Sequence, residues 1–340
     1  MKVTIKDIAA VAGVSHSTVS RALNDSPQIS KATKEKIKYL AKSMNFEFNA
    51  GARSLKGVRT GNIAVIYESY IDQFGSSLYI NQLFTELRHI LESMDMDAII
   101  IEGYHPDTGA SNIERLLRQQ KVDGFLIVHD QITNRDYNSI QEAGLPLVQL
   151  HMRPRFFKGE KLNAFSSDNI YGGKLATNHL IKQGCRNILT VLPNEEKSLE
   201  YIDRTKGYLL ALEENGIEFN PEYVIKIDCS YTKGYDLVQS IPNLIKKADG
   251  IFFQTDVQAF GFLTAAKESG IKIPQKLLVI GYDDTPVCEY TSPLLTTIHQ
   301  PKKELARLAA NRIMELINKV NYDKYTVEVV KPTLVLRKSS

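Results

Sequence analysis

The sequence predicts an N-terminal all-α helix-turn-helix headpiece followed by an α/β body of two doubly wound parallel-sheet lobes with a cleft between them. Three observations predict this. Residues 3–46 hold three short amphipathic helical patterns separated by turn residues. From residue 61 onward, short apolar runs alternate with longer amphipathic stretches. A chain of 340 residues is also too long for one small domain, at about 100–200 residues each.

The headpiece can be justified residue by residue. Thr4 can cap a first helix, with Asp7 as the acidic half of a capping box. Ile5, Ile8, Ala9 and Ala12 recur at helical spacing and form one apolar face. Gly13 follows where the chain must turn sharply, and a residue without a Cβ takes positive φ at no steric cost. Ser15 can cap a second helix that sends Val19 and Leu23 inward and leaves His16, Ser17, Ser20 and Arg21 on its outer face. Ser30 can cap a third helix, closed by Ile37, Leu40, Ala41 and Met44. The outward residues hydrogen-bond or carry charge, which suits a helix entering the DNA major groove. Charge agrees. Residues 1–60 carry eleven Lys/Arg against four Asp/Glu, a net of +7, and the whole chain is +3, leaving −4 for residues 61–340. A basic head on a mildly acidic body localises attraction for phosphate to one module.

These segments resemble the headpiece of the lactose-repressor family of bacterial transcription regulators. The likeness continues into NAGARSLKG, residues 49–57, which resembles that family's hinge. The resemblance implies a short hinge helix that forms on DNA, pairs with its copy in a second subunit and enters the minor groove. Arg53-Ser54-Leu55-Lys56 matches this pattern, with Leu55 as an apolar wedge that kinks the duplex. It further implies that His16, Ser17 and Arg21 read base edges, Arg21 favouring guanine through O6 and N7. Ser15, Asn24, Ser30 and Thr33 would bond phosphates or buttress the helix. Thr4, Thr18, Ser20, Asn49, Ala52, Arg53 and Lys56 complete the expected DNA-contacting set.

In the body, strand candidates fall at 63–67, 98–101, 124–128, 147–150, 188–191, 223–227, 250–253 and 277–280. Helical patterns fall between them, among them 83–94, 112–119, 172–183, 204–215 and 258–269. Short apolar strands with intervening helices mean parallel sheets covered on both faces. Such sheets bind ligands beyond the carboxyl ends of their strands, and two facing lobes can close by hinge motion. The family resemblance covers this body too, through Phe165–Asn169, Arg204–Tyr208, Asp249–Phe253, Val279–Asp284, Leu295–Gln300 and Leu334–Arg337. It implies a body like the periplasmic binding proteins. The expected domains are a headpiece at 1–47, a hinge at 48–60 and an effector and dimerisation body at 61–340. One lobe is expected over 61–163 plus 289–322, the other over 164–288 plus 323–340.

For the cleft, Arg204 and Asp283 form a chemically sensible pair, because a guanidinium fork and a carboxylate can each bond vicinal hydroxyls or ring heteroatoms twice. Gln300 and Asp256 could add orienting bonds. Tyr67, Tyr79 and Phe253 could stack a sugar or a base, or could be core aromatics. The resemblance implies a small effector, by default a sugar or sugar derivative, with a purine or nucleoside corepressor as the alternative. A cytosolic ligand-binding protein with a vestigial head is a second alternative.

The remaining features exclude other classes. Cys185, Cys229 and Cys288 are widely spaced, with no CxxC or Cys/His cluster, so neither a metal site nor a disulfide framework is expected. No cofactor is implied. No signal-peptide pattern or membrane-length apolar run is present, so a cytoplasmic protein is expected. Asp283, Asp284, His151, His179 and His299 could serve as acids or bases. No GxSxG, P-loop, GxGxxG after the first strand, or HExxH accompanies them, so binding is expected in place of catalysis. The whole predicts a homodimeric regulator, expected to repress carbohydrate-utilisation genes by binding double-stranded operator DNA under control of an effector.

Overall fold

The computed structural model describes residues 3–23, 26–44, 46, 59–68, 74–128, 132–152, 162–195 and 198–340. The chain forms two compact units, Met1–Gly61 with Gln119–Val122, and Asn62–Arg118 with Asp123–Ser340. The first contains α1 (Ile5–Ala12), α2 (His16–Leu23) and α3 (Lys31–Ser43). Ile8, Val19, Ala22 and Ile37 are buried at the centre of this unit, and Leu23, Leu40 and Met44 close its edges.

The second unit holds, among the described residues, two six-stranded sheets. The first runs β11 (Val327–Val330), β5 (Ala164–Ser167), β4 (Leu147–His151), β3 (Gly124–Ile127), β1 (Asn62–Tyr67), β2 (Asp97–Glu102), all parallel. The second runs β12 (Thr333–Val335), β10 (Thr296–His299), β9 (Leu278–Asp283), β8 (Gly250–Phe253), β6 (Ile188–Pro193), β7 (Val224–Ile227). It is parallel except for β12, which pairs with β10 antiparallel. Every residue of β3, β4, β5, β6 and β8 is buried, as expected of strands with helices on both faces.

The pleat explains how one strand serves two cores. In β8, Ile251 and Phe253 point into one cluster with Leu189, Val191 and Phe262, while Phe252 points into the other with Leu180, Tyr208 and Tyr282. The first sheet is covered by α4 (Phe74–Ser93) and α12 (Lys302–Ile317), whose Leu83, Leu87, Leu305, Ala309 and Ile313 join Val65, Leu126 and Val148.

The sheet pairing corrects the expected lobe limits. Ala164–Ser167 belongs to the first sheet, with Ala164 opposite Gln149 on one side and Val327 on the other. Thr296–His299 belongs to the second sheet, and Val327–Val330 returns to the first. The chain therefore crosses between lobes after Ser167, after His299 and after Val330, all at strand carboxyl ends. The motifs there mark where a strand ends, but not the sheet in which it lies.

Two helix pairs of the second lobe approach through glycine. In α7 (Asn169–Lys182) and α8 (Leu199–Glu214), a Cβ on Gly207 would collide with the Ile170 carbonyl, and one on Gly173 with the Arg204 carbonyl. Gly234 of α9 (Tyr231–Ser240) and Gly261 of α11 (Asp256–Glu268) meet the facing backbone in the same way. Overpacking of this kind costs about 1–3 kcal/mol, which exceeds the roughly 1 kcal/mol that alanine offers as the better helix former. Gly207→Ala should therefore lower the urea midpoint of unfolding, despite its helix propensity. A raised midpoint would mean that the helices have room to spare.

Candidate DNA-reading head and ligand cleft

The head presents its second helix by three local devices. The Asp7 carboxylate accepts from both the amide and the hydroxyl of Thr4, each at 2.7 Å, which fixes the start of α1. Gly13 ends α1 at φ 67° in the left-handed region. Ser15 Oγ accepts from the Thr18 amide at 3.1 Å and so opens α2, and Ser30 Oγ accepts from the Thr33 amide at 3.3 Å and opens α3. Thr4, Ser15, His16, Ser17, Arg21 and Ser30 are exposed, and Thr18 and Thr33 are half-buried. Ser20 is a correction. It is buried, because it adjoins Val19 at the border of the apolar stripe and its short side chain does not reach past that border. Asn24, Asn49, Ala52, Arg53, Leu55 and Lys56 lie outside the described residues.

The cleft is built around Arg204, 2% exposed on α8. Its Nε donates to Asn169 Oδ1 at 2.9 Å and its Nη1 to the Gln254 carbonyl at 2.5 Å. The guanidinium lies 3.8 Å from the Tyr282 ring centroid. Its Nη2 stands 3.7 Å from Asp283 and 3.8 Å from Glu200. Burial opposes this charge, but Asp283, Tyr282 and Glu200 outweigh burial and hold the guanidinium protonated.

Asp283 ends β9 at φ 114°, followed by Asp284 at φ 50°, and His151 ends β4 at φ 74°. Non-glycine residues at positive φ are uncommon and gather where function holds them. Gln300 Nε2 donates to the Asp283 carboxylate at 2.7 Å, and Lys302 Nζ to its carbonyl at 2.6 Å. Burial pushes the Asp283 carboxyl up to about 7, against the pull of Arg204. Asp284 is also half-desolvated, yet hydrogen bonds from His299 and Arg337 draw it down to about 2.

The first lobe faces this wall with Tyr79 of α4 and His151 of β4. Their rings stand 4.8 Å apart, and His151 Nε2 lies 3.1 Å from Glu200 Oε1 across the lobes. Burial lowers the basicity of His151 and keeps its ring neutral. Buried atoms with no hydrogen-bond partner include Tyr79 OH, His151 Nδ1, Gln254 Oε1 and Gln300 Oε1. Buried polar atoms without a partner are unusual in a folded interior.

Arg204, Asp283, Gln300 and Tyr79 thus converge. Three other candidates do not. Phe253 is fully buried beside Phe262, at 5.2 Å between centroids. Asp256 is fully buried, and its carboxylate is taken by the Thr285 amide and the Thr285 and Thr297 hydroxyls. Tyr67 is half-buried and packs on Phe84 at 5.8 Å. Their strand ends are near the cleft, but the pleat turns Phe253 into the core, and Asp256, opening α11, is drawn to the strand-end hydroxyls. Sequence reasoning missed Glu200, Asn169, Tyr282 and Lys302. For Glu200 an i,i+4 spacing to Arg204 was the available signal.

The three cysteines are free and buried. Among the described residues no group of three or more His, Cys, Asp or Glu could hold a metal ion, and no helix is long and apolar enough to cross a membrane.

A helix-turn-helix unit joined to a two-lobed α/β body with a polar cleft defines a class of protein, the ligand-controlled DNA-binding regulators. Residues 4–49 match the model of bacterial regulatory proteins of the lacI family, and residues 177–340 match that of the periplasmic binding protein-like domain. The chain is 32% identical to the ribose operon repressor of Haemophilus influenzae, across 99% of this chain and 98% of the relative. It is 30% identical to the HTH-type transcriptional repressor PurR of Photorhabdus laumondii, across 99% and 96%. It resembles the transcriptional regulator CelR–cellobiose complex with a TM-score of 0.70 at 28% identity, across the whole of both chains. The chain belongs to the lacI family of bacterial regulatory proteins and is a DNA-binding transcriptional regulator.

The buried Asp283 has a consequence for stability. A carboxyl raised from 3.8 to about 7 makes the native state bind more protons than the unfolded state between those values. Its contribution is fully present below about pH 4 and is lost as pH rises through 7. His151 and His179, both lowered by burial, act in the opposite sense. The stability of wild type minus that of Asp283→Asn isolates the carboxyl, and by urea titration it should fall between pH 4 and 7. A flat difference would mean that Asp283 ionises as in water.

Proposed function

We propose that this protein is a repressor that binds a near-palindromic operator as a homodimer and is released by a small polyhydroxyl effector in the interlobe cleft. The observation that carries the reading is the constellation of Arg204, Asp283 and Gln300 at the strand ends of one lobe, faced by Tyr79 and His151 from the other. A guanidinium beside a carboxylate, with the Gln300 amide on that carboxylate, suits a ligand that offers several hydroxyls. A purine reading needs aromatic faces on which to stack. Phe253 lies inside the core, Tyr67 packs on Phe84 and the Tyr79 ring is already set against His151, which favours the sugar.

The domain plan that goes with this reading is a headpiece over 1–47, a hinge over 48–60 and an effector body from 61. His16, Ser17 and Arg21 read bases, while Thr4, Ser15, Thr18, Ser30 and Thr33 fix the helix on phosphates. Leu55 wedges the centre of the site. Effector and operator affinities are then coupled reciprocally, by a factor of about 5–150. The resemblance of CelR in its cellobiose complex and the likeness to a ribose operon repressor support a sugar class.

The test is fluorescence anisotropy of labelled operator DNA with and without ribose, glucose and cellobiose. One of these should weaken operator binding, and Gln300→Ala should blunt the response while leaving operator affinity in place. Arg21→Ala should erase the preference at one base pair per half-site, a loss of about 1–3 kcal/mol of discrimination. A sugar that tightens operator binding would reverse the sign of control, and an unchanged base profile in Arg21→Ala would remove α2 from the major groove.

A further inference from the structure

We propose that Lys302 is a positioning residue of the cleft, which holds the left-handed Asp283–Asp284 turn of the second lobe from a helix of the first and so aims the Asp283 carboxylate at the effector. Its Nζ donates to the Asp283 carbonyl at 2.6 Å and to the Asp284 carbonyl at 3.2 Å. Both of those residues have positive φ, 114° and 50°. Side chains other than glycine seldom adopt such conformations, and two in succession persist only where the surroundings hold them. The ammonium provides that hold by taking both carbonyls at once, in charge-assisted bonds. Gln300 Nε2 secures the carboxylate of Asp283 at 2.7 Å, and Lys302 secures the backbone that carries it. The two therefore act in series on one group, and losing either makes the other less effective.

Local rules do not account for a lysine at this position. Lys302 is the first residue of α12, and Lys303 follows it. A cation in the first turn opposes the helix macrodipole, whose N-terminal end favours anions. Lys302 is also only 7% exposed, and lysine is among the residues least often buried. Burial lowers its basicity, against the pull of Asp283, Asp284 and Asp256. A residue that breaks the capping rule and the burial rule together marks a functional constraint. Its remaining contact is with the first lobe, where Nζ lies 5.5 Å from the centroid of the Tyr79 ring on α4. The helix that carries it packs on the first sheet through Leu305, Ala309 and Ile313. A first-lobe side chain thus grips the main chain of the second lobe at the residue that faces Arg204.

Lys302→Met tests this in the full-length protein, since it keeps an unbranched side chain and removes the three N–H donors. The first arm needs no ligand. Amide hydrogen exchange should quicken over residues 283–287 by about tenfold or more, the factor that a hydrogen bond to a charged group contributes, while β6 and β8 exchange as in wild type. The second arm rests on the sugar reading above and uses calorimetry with ribose, glucose and cellobiose. The sugar that wild type binds most tightly should be weakened about tenfold or more by Lys302→Met. In a Gln300→Ala background the same change should cost about threefold or less, because both side chains act through Asp283. Independent losses that simply multiply would overturn the inference. So would exchange that is unchanged at 283–287, or faster throughout the second lobe. If wild type binds none of the three sugars, the sugar reading fails by itself, and the exchange result still decides whether Lys302 holds the turn.

Discussion

The cleft depends on the seating of one buried guanidinium. Taking Arg204 out of water costs several kcal/mol even after relaxation, and such a charge persists only where its surroundings hold it. Here the holding is done by the Asn169 amide oxygen, the Gln254 carbonyl, the Tyr282 ring and the carboxylates of Asp283 and Glu200. These come from α7, the residue after β8, β9 and α8, so one side chain ties together neighbouring elements of the second lobe. The backbone of Arg204 is fixed in turn by Gly173, whose missing Cβ lets α7 lie against α8. The close helix pairing and the chemistry of the cleft are therefore one constraint seen at two scales.

The same arrangement makes the cleft responsive. Asp283 serves Arg204 and Gln300 at once, and Lys302 at the crossover to the first lobe donates to its carbonyl. His151 and Tyr79 bring the first lobe to within contact of Glu200. A ligand that takes the spare hydrogen bonds in this set favours one spacing of the lobes over another, and only such differential affinity can shift a conformational equilibrium. The three lobe crossings all lie at strand carboxyl ends.

Much of the fold was legible in sequence because its cues are local. The caps at Thr4, Ser15 and Ser30 and the left-handed turn at Gly13 follow from residue type and spacing. Central strands such as Gly250–Phe253 are continuous apolar runs and stood out. Ala164–Ser167 and Val327–Val330 did not, since one carries two serines and the other is a half-exposed edge strand. In the cleft, Arg204, Asp283 and Gln300 were visible through motif context. Phe253 and Asp256 show the limit of that context, because position at a strand or helix end does not reveal which way a side chain points. His151 and Glu200 carry no local signature as a pair. Their meeting exists only once two lobes have folded and faced each other.

The central claim is that this chain reads a symmetric DNA site with its head. The most direct measurement is selection from random duplex DNA by the purified full-length protein, at about physiological ionic strength, where nonspecific phosphate binding is suppressed. The account predicts enrichment of a near-palindrome with a pyrimidine–purine step at its centre, the step that a wedge such as Leu55 opens most easily. No enriched site, with or without a pool of sugars and purines present, would contradict it.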